Sequence, residues 1–107
     1  MNLPKVITAL IDAQASADSV KYATCFSETA VVFDEGKHHE GQNAIKTWFQ
    51  STSDKYQTVH KALAYTGNDE IGILTSEVSG TFPGSPIVLK FHFSFANERI
   101  EKLEIKS

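Results

Sequence analysis

The sequence predicts one α+β domain, with helices in its N-terminal half packed on a strongly curved antiparallel sheet. Three features support this. Apolar residues near the start recur at helical spacing, and Ile87 to Ala96 alternates with period two. The last strands are joined by turns too short for parallel crossovers. The 107 residues fit a single domain, 1–107, able to bury roughly two-thirds of its unfolded surface without disulfides or metal.

Taken in order, Leu3, Ile7, Leu10, Ile11 and Gln14 share one face of a first helix. Pro4 stands in its first turn, where a missing N–H is tolerated. Asp18 is a natural N-cap for a shorter second helix presenting Tyr22, Cys25 and Phe26 on one side. The β-branched and aromatic run Ala30-Val31-Val32-Phe33-Asp34 is a strand, which Glu35-Gly36 turns back into a short Lys37-His38-His39 partner. Gly41 and Asn43 open a third helix that buries Ala44, Ile45, Trp48 and Phe49 and ends at Ser51–Asp54. Strands then follow at 58–66, 70–80, 87–96 and 100–106. They are separated by Gly67-Asn68-Asp69, Pro83-Gly84-Ser85-Pro86 and Asn97-Glu98.

Composition narrows the function classes. Ten basic residues against thirteen acidic ones give a net charge of −3, Arg99 is the only arginine, and the lysines are scattered. Nucleic-acid binding needs clustered cations, so it is excluded as a working reading. Met1 to Lys5 lacks the apolar run of a signal peptide, and no stretch has membrane-spanning length. Cys25 has no cysteine to pair with. The expectation is a cytoplasmic protein with no membrane partner.

Strand alternation assigns faces. Ile87, Leu89, Phe91, Phe93 and Phe95 must face inward, because exposed phenylalanines in a row would aggregate. Leu74, Ser76, Val78 and Gly80 form the matching inner face of the preceding strand. Their smaller side chains, opposed to Phe26 and Trp48, leave room for an apolar small-molecule pocket. The other face carries Ile71, Ile73, Thr75, Glu77, Val88, His60 and His92. This mixed surface predicts a homodimer formed through the outer sheet face.

Asp34, at the pocket edge, is the candidate catalytic residue, and turn-capping is its plain structural alternative. Phe26, Trp48, Phe91 and Phe93 are candidate pocket walls as well as core, together with Leu74 and Val78. His39 is placed at the pocket mouth. His38 and His39 are adjacent on a strand and point to opposite sides, so no metal site is assigned, and no cofactor.

The segments Tyr22-Ala23-Thr24-Cys25-Phe26-Ser27-Glu28-Thr29-Ala30-Val31-Val32, Asp34-Glu35-Gly36 and Glu40-Gly41-Gln42-Asn43-Ala44-Ile45 ahead of Trp48-Phe49 carry a resemblance. With the terminal strand pairs, the chain resembles the nuclear transport factor 2-like superfamily and, within it, the SnoaL-like proteins. The resemblance implies a cystatin-like cone of bent sheet closed by helices, commonly dimeric. It also implies roles. The ketosteroid isomerase branch has a carboxylate base where Asp34 stands, but its two oxyanion donors correspond here to Leu10 and Phe91. Losing such a donor costs about 3 kcal/mol of transition-state stabilisation. The epoxide hydrolase branch needs an arginine between aspartates, whereas Arg99 sits at a turn. The scytalone dehydratase branch uses pocket histidines, whereas alternation turns His60 and His92 outward. The polyketide cyclase branch relies on a pocket carboxylate and stays open.

Two functions remain. One is ligand binding with isomerase-like or cyclase-like acid–base chemistry through Asp34 on an apolar, carbonyl-bearing compound. The other is a non-catalytic dimeric binding module.

Overall fold

The computed structural model describes residues 2–107. Helices α1 (Lys5–Ala15) and α2 (Ser19–Thr24) lead into strands β1 (Phe26–Asp34) and β2 (Lys37–Glu40). Helix α3 (Gly41–Tyr56) follows, and then β3 (Val59–Gly67), β4 (Ile71–Ser79), β5 (Ile87–Ala96) and β6 (Arg99–Lys106). This is the expected α+β layering of three helices on one sheet.

Local chemistry sets most boundaries. Pro4 is the residue before α1 rather than inside its first turn, and its carbonyl accepts from Ile7 and Thr8. Asp18 caps α2 by accepting a hydrogen bond from the Lys21 backbone N–H at 3.1 Å, satisfying one of the orphan donors of a helix start. Helix α2 is shorter than its apolar spacing suggests, because Phe26 already belongs to β1. Helix α3 continues to Tyr56 and stops where Gln57 turns left-handed. Two tight turns use paired positive φ angles, at Glu35-Gly36 and at Asn97-Glu98, which suit the right-handed twist of hairpin strands. At the β3–β4 turn the Asn68 side chain accepts from the backbone of Glu70 and Ile71.

The sheet runs β2-β1-β6-β5-β4-β3. All its ladders are antiparallel except one, since β1 pairs with β6 in parallel. Strand alternation within the C-terminal meander holds no information about that pairing. In it Phe26 opposes Ile100 and Val32 opposes Leu103, so the pairing buries apolar residues of both halves of the chain. The inner face is the expected one over β4 and β5: Gly72, Leu74, Ser76 and Val78 oppose Phe93, Phe91, Leu89 and Ile87. Against it lie Ile7 and Leu10 of α1, Tyr22 of α2, and Ile45 and Phe49 of α3. Ile7, Phe26, Val32, Ile45, Ile100 and Leu103 have no exposed surface. Each such side chain contributes about 1.5–3 kcal/mol by leaving water.

Gly72 is required by a close approach. A Cβ there would overlap the Tyr65 hydroxyl and lie 2.7 Å from the ring carbon Cζ. Gly72→Ala is therefore expected to lower stability in urea unfolding by about 1–3 kcal/mol, the usual cost of overpacking. Adding Tyr65→Ala should make the second loss smaller than the sum of the two single changes. Equal stability of Gly72→Ala and the parent chain would contradict this contact.

Candidate acid–base site at the mouth of the cone

In β1 the inward residues Ala30 and Val32 are fully buried, and alternation brings Asp34 to the same concave face. Asp34 is the last residue before the Glu35-Gly36 turn and is only half-buried. The concave face opens here. Asp34, Trp48, Leu89, Ile105, Ala62 and His60 are all partly exposed, although their strand neighbours Val32, Phe91, Leu103 and Val78 are closed off.

The side chains around Asp34 come from three elements. His39 of β2 stacks on Trp48 of α3, with centroids 5.6 Å apart and planes 28° apart. Trp48 leans on Tyr22 at 6.1 Å, and Tyr22 lies flat against Phe49 at 3.9 Å. Burial raises the Asp34 carboxyl above the usual carboxylate range, and the neighbouring Glu35 charge adds to this. The Trp48 side chain, His39 and the Glu35 backbone N–H oppose the shift. A carboxyl raised by burial can exchange a proton at a pH closer to neutrality.

Tyr22 is almost wholly buried, and burial holds its phenol protonated, with Cys25 and Asp34 reinforcing the effect and the Gln14 side chain opposing it. It is therefore a neutral O–H group near the carboxyl. Sequence reasoning placed Tyr22 on a buried helix face but could not point it toward Asp34. The positions of the two missing isomerase donors, Leu10 and Phe91, are closed apolar core.

His60 requires a correction. Plain alternation turns it outward, but the structure pairs it with the buried Val78 and brings its ring 5.9 Å from Phe91. The cause is a bulge between Ala62 and Ala64 that adds one residue to β3 and reverses the parity of its first half. Burial lowers the His60 imidazole to about 4, so it is neutral near pH 7, and its Nδ1 is buried without a hydrogen-bond partner. His92, paired with Ile73 and Glu104, stays on the outer face.

Of the remaining candidates, Phe26, Leu74, Val78, Phe91 and Phe93 are 0–4% exposed and pack as core. His39, Trp48 and Asp34 meet at the mouth. His38 points away toward Glu40, at 3.5 Å. An open groove of about 960 Å³ lies elsewhere, between Pro4, Lys5, Cys25, Asn68, Phe95 and Arg99. It does not include Asp34.

The surroundings of Asp34 can be tested by carbon-detected NMR titration. Glu35→Gln is expected to lower the Asp34 pKa by removing a like charge, and Trp48→Phe to raise it by removing a donor. The folded pKa lies above the unfolded one, so the native state holds the proton longer. Stability linked to Asp34 is therefore present at low pH and lost as pH rises from the unfolded value through the folded one. Asp34→Asn should flatten that slope. A slope of opposite sign would identify a turn-capping carboxylate instead.

No protein-family model matches the sequence, and no curated protein matches it either. Solved structures do. A candidate polyketide cyclase from Sinorhizobium meliloti is 34% identical, with a TM-score of 0.93 over 97% of this chain and 95% of its own. A protein with a ketosteroid isomerase-like fold from Catenulispora acidiphila, in complex with trimethylamine, is 15% identical with a TM-score of 0.87 over 99% and 87%. A nuclear transport factor 2-like protein from Cytophaga hutchinsonii is 12% identical with a TM-score of 0.79 over 94% and 85%. The last two share the fold alone, whereas the first is a relative by sequence over nearly the whole chain. The chain belongs to the nuclear transport factor 2-like, SnoaL-like superfamily.

Proposed function

We propose that this protein binds an apolar, carbonyl-bearing small molecule at the mouth of the cone and moves a proton on the carbon next to the carbonyl, in the manner of an isomerase or cyclase. Asp34 is the base. The observation that carries this reading is the convergence of Trp48, His39 and Tyr22 on a half-buried carboxyl whose proton affinity is raised. Removing the α-proton turns the carbonyl oxygen into an enolate as the proton passes to Asp34; Trp48 donates to Asp34 itself and Tyr22 is buried beside Gln14, so both shape the carboxyl's surroundings. The kinship with a candidate polyketide cyclase supports the same chemistry.

The test is proton–deuterium exchange at the α-carbon of 1-tetralone, followed by NMR. The wild-type chain is expected to accelerate exchange over buffer, and Asp34→Asn to lower that rate by about 10²–10⁴-fold, the usual contribution of a positioned base. Equal exchange by wild type and Asp34→Asn would leave the non-catalytic binding module as the function.

We also propose that two copies associate through the outer sheet face. Val59, Ile71, Ile73 and Val88 are exposed there, with Ile71 at 59% and Val59 at 65%. Lys61 and Glu77 face each other beside them, as do His92 and Glu104. Apolar residues flanked by both charge signs can be self-complementary under a two-fold axis. Ile73→Lys is expected to turn a dimer into a monomer in sedimentation equilibrium, and a wild-type monomer at all concentrations would refute the association.

A further inference from the structure

Of the four histidines, His39 and His60 lie on the concave side, and His38 and His92 on the outer face of the sheet. One cross-strand row holds both outer ones. It runs His38, Phe33, Glu104, His92, Ile73 and Thr66, from β2 to β3. His92 stands near the middle of β5, a central strand, and directly opposite Ile73 of the exposed apolar patch. A two-fold contact brings groups near its axis against their own copies. Lys61, Lys90, Lys102 and Lys106 share this face with Glu40, Glu77 and Glu104, so it carries a lysine excess although the whole chain is at −3. His92 meets Glu104 from β6 and Ile73 from β4. Lys102, Lys106, Ile71 and Thr75 are diagonal to it, and Lys90 and Ser94 flank it on its own strand. Glu104 is the one acid among these, and its carboxylate already holds Lys106 at 3.5 Å. His38 faces Phe33, whose ring has the Lys102 ammonium 5.4 Å from its centroid, and has Glu40 at 3.5 Å on its own strand.

We propose that association through the outer sheet face is controlled by pH, the two copies separating on acidification as His92 and, to a lesser degree, His38 take up protons. The inference rests on the association proposed above and specifies its regulation. Histidine is the side chain whose ordinary charge change falls between about pH 5 and 8. Neutral, the His92 ring is a flat, partly apolar surface beside Ile73 that an interface can cover. Protonated, it adds a positive charge to a face with a lysine excess, and the one carboxylate beside it is shared with Lys106. Two such faces repel, and covering the new charge costs hydration that no free acid returns. Glu40 offsets part of the charge on His38, so its share is smaller. The separated copies therefore bind protons more readily than the dimer, and the dimer weakens as pH falls.

Sedimentation equilibrium of the full chain at about pH 8 and about pH 5.5 reads the dissociation constant on both sides of the histidine range. The wild-type dimer is expected to weaken about tenfold or more at the lower pH, and the difference to shrink at high salt, which screens like charges. His92→Gln keeps a polar side chain that takes no proton, so it should lose most of the pH dependence. His38→Gln should lose a smaller part. Near-ultraviolet circular dichroism at both pH values reports folding, and the salt series needs no variant at all. An equal or tighter wild-type constant at the lower pH overturns the proposal, as does a full pH dependence in the double variant His92→Gln, His38→Gln. Ile73→Lys separates this control from the association beneath it. A dimer that Ile73→Lys leaves intact, or a wild-type monomer at both pH values, refutes the outer-face association and its control together. A dimer that Ile73→Lys breaks, but whose constant is the same at both pH values, refutes the control alone.

Discussion

The parallel ladder between β1 and β6 is the constraint on which the rest of the molecule depends. β1 belongs to the helical half of the chain and β6 closes the meander, so this one ladder joins the two halves. Phe26 opposes Ile100 and Val32 opposes Leu103, and none of the four has exposed surface. The Ile100 N–H also donates to the Cys25 carbonyl at 2.9 Å. Between Phe26 and Val31 the register slips, and the strands are held there by side chains instead. Ser27 and Thr29 both donate to the Glu101 carboxylate, which lowers the proton affinity of that acid. Without this ladder the helices would cover no sheet, and Asp34 would not reach the row that contains Ile105 and Phe91.

The same closure creates the unusual electrostatics of the mouth. Asp34 and His39 at the open end, and His60 on β3, are each pushed toward the neutral form by desolvation. Asp34 is raised and His60 lowered chiefly because a charge there loses water, and at Asp34 the Glu35 charge outweighs the help that His39 and Trp48 give the carboxylate. Tyr22 packs Trp48, Phe49 and Phe26 into one aromatic layer, and Phe91 lies against the His60 ring. In that layer Trp48 is partly exposed at the opening beside Asp34, whereas Phe91 is closed core.

Much of this was legible in the residues. The five-residue stripe from Ile87 to Phe95 predicted the inner face of β5, and the smaller Leu74, Ser76 and Val78 were matched to it correctly. Asp18 as a helix cap and Glu35-Gly36 as a turn were also readable, since their chemistry is local. Asp34 could be located at the end of a strand for the same reason. His60 could not be oriented, because one extra residue near Leu63 reverses the alternation and nothing in the Lys61-Ala62-Leu63-Ala64 composition marks the bulge. Apolar spacing puts Phe26 on the helix, because spacing alone does not say where a short helix yields to a strand.

The sequence by itself determined the fold class, the element order, the inward face of the meander and the position of Asp34 beside a turn. Each follows from interactions between residues close in the chain, or from the need to hide a regular apolar stripe. Tertiary structure alone decided the parallel β1–β6 pairing, the inward turn of His60 and the meeting of Asp34 with Tyr22, His39 and Trp48. Those depend on contacts between segments far apart in the chain, whose geometry is set by how the whole sheet bends around the helices and not by any local pattern.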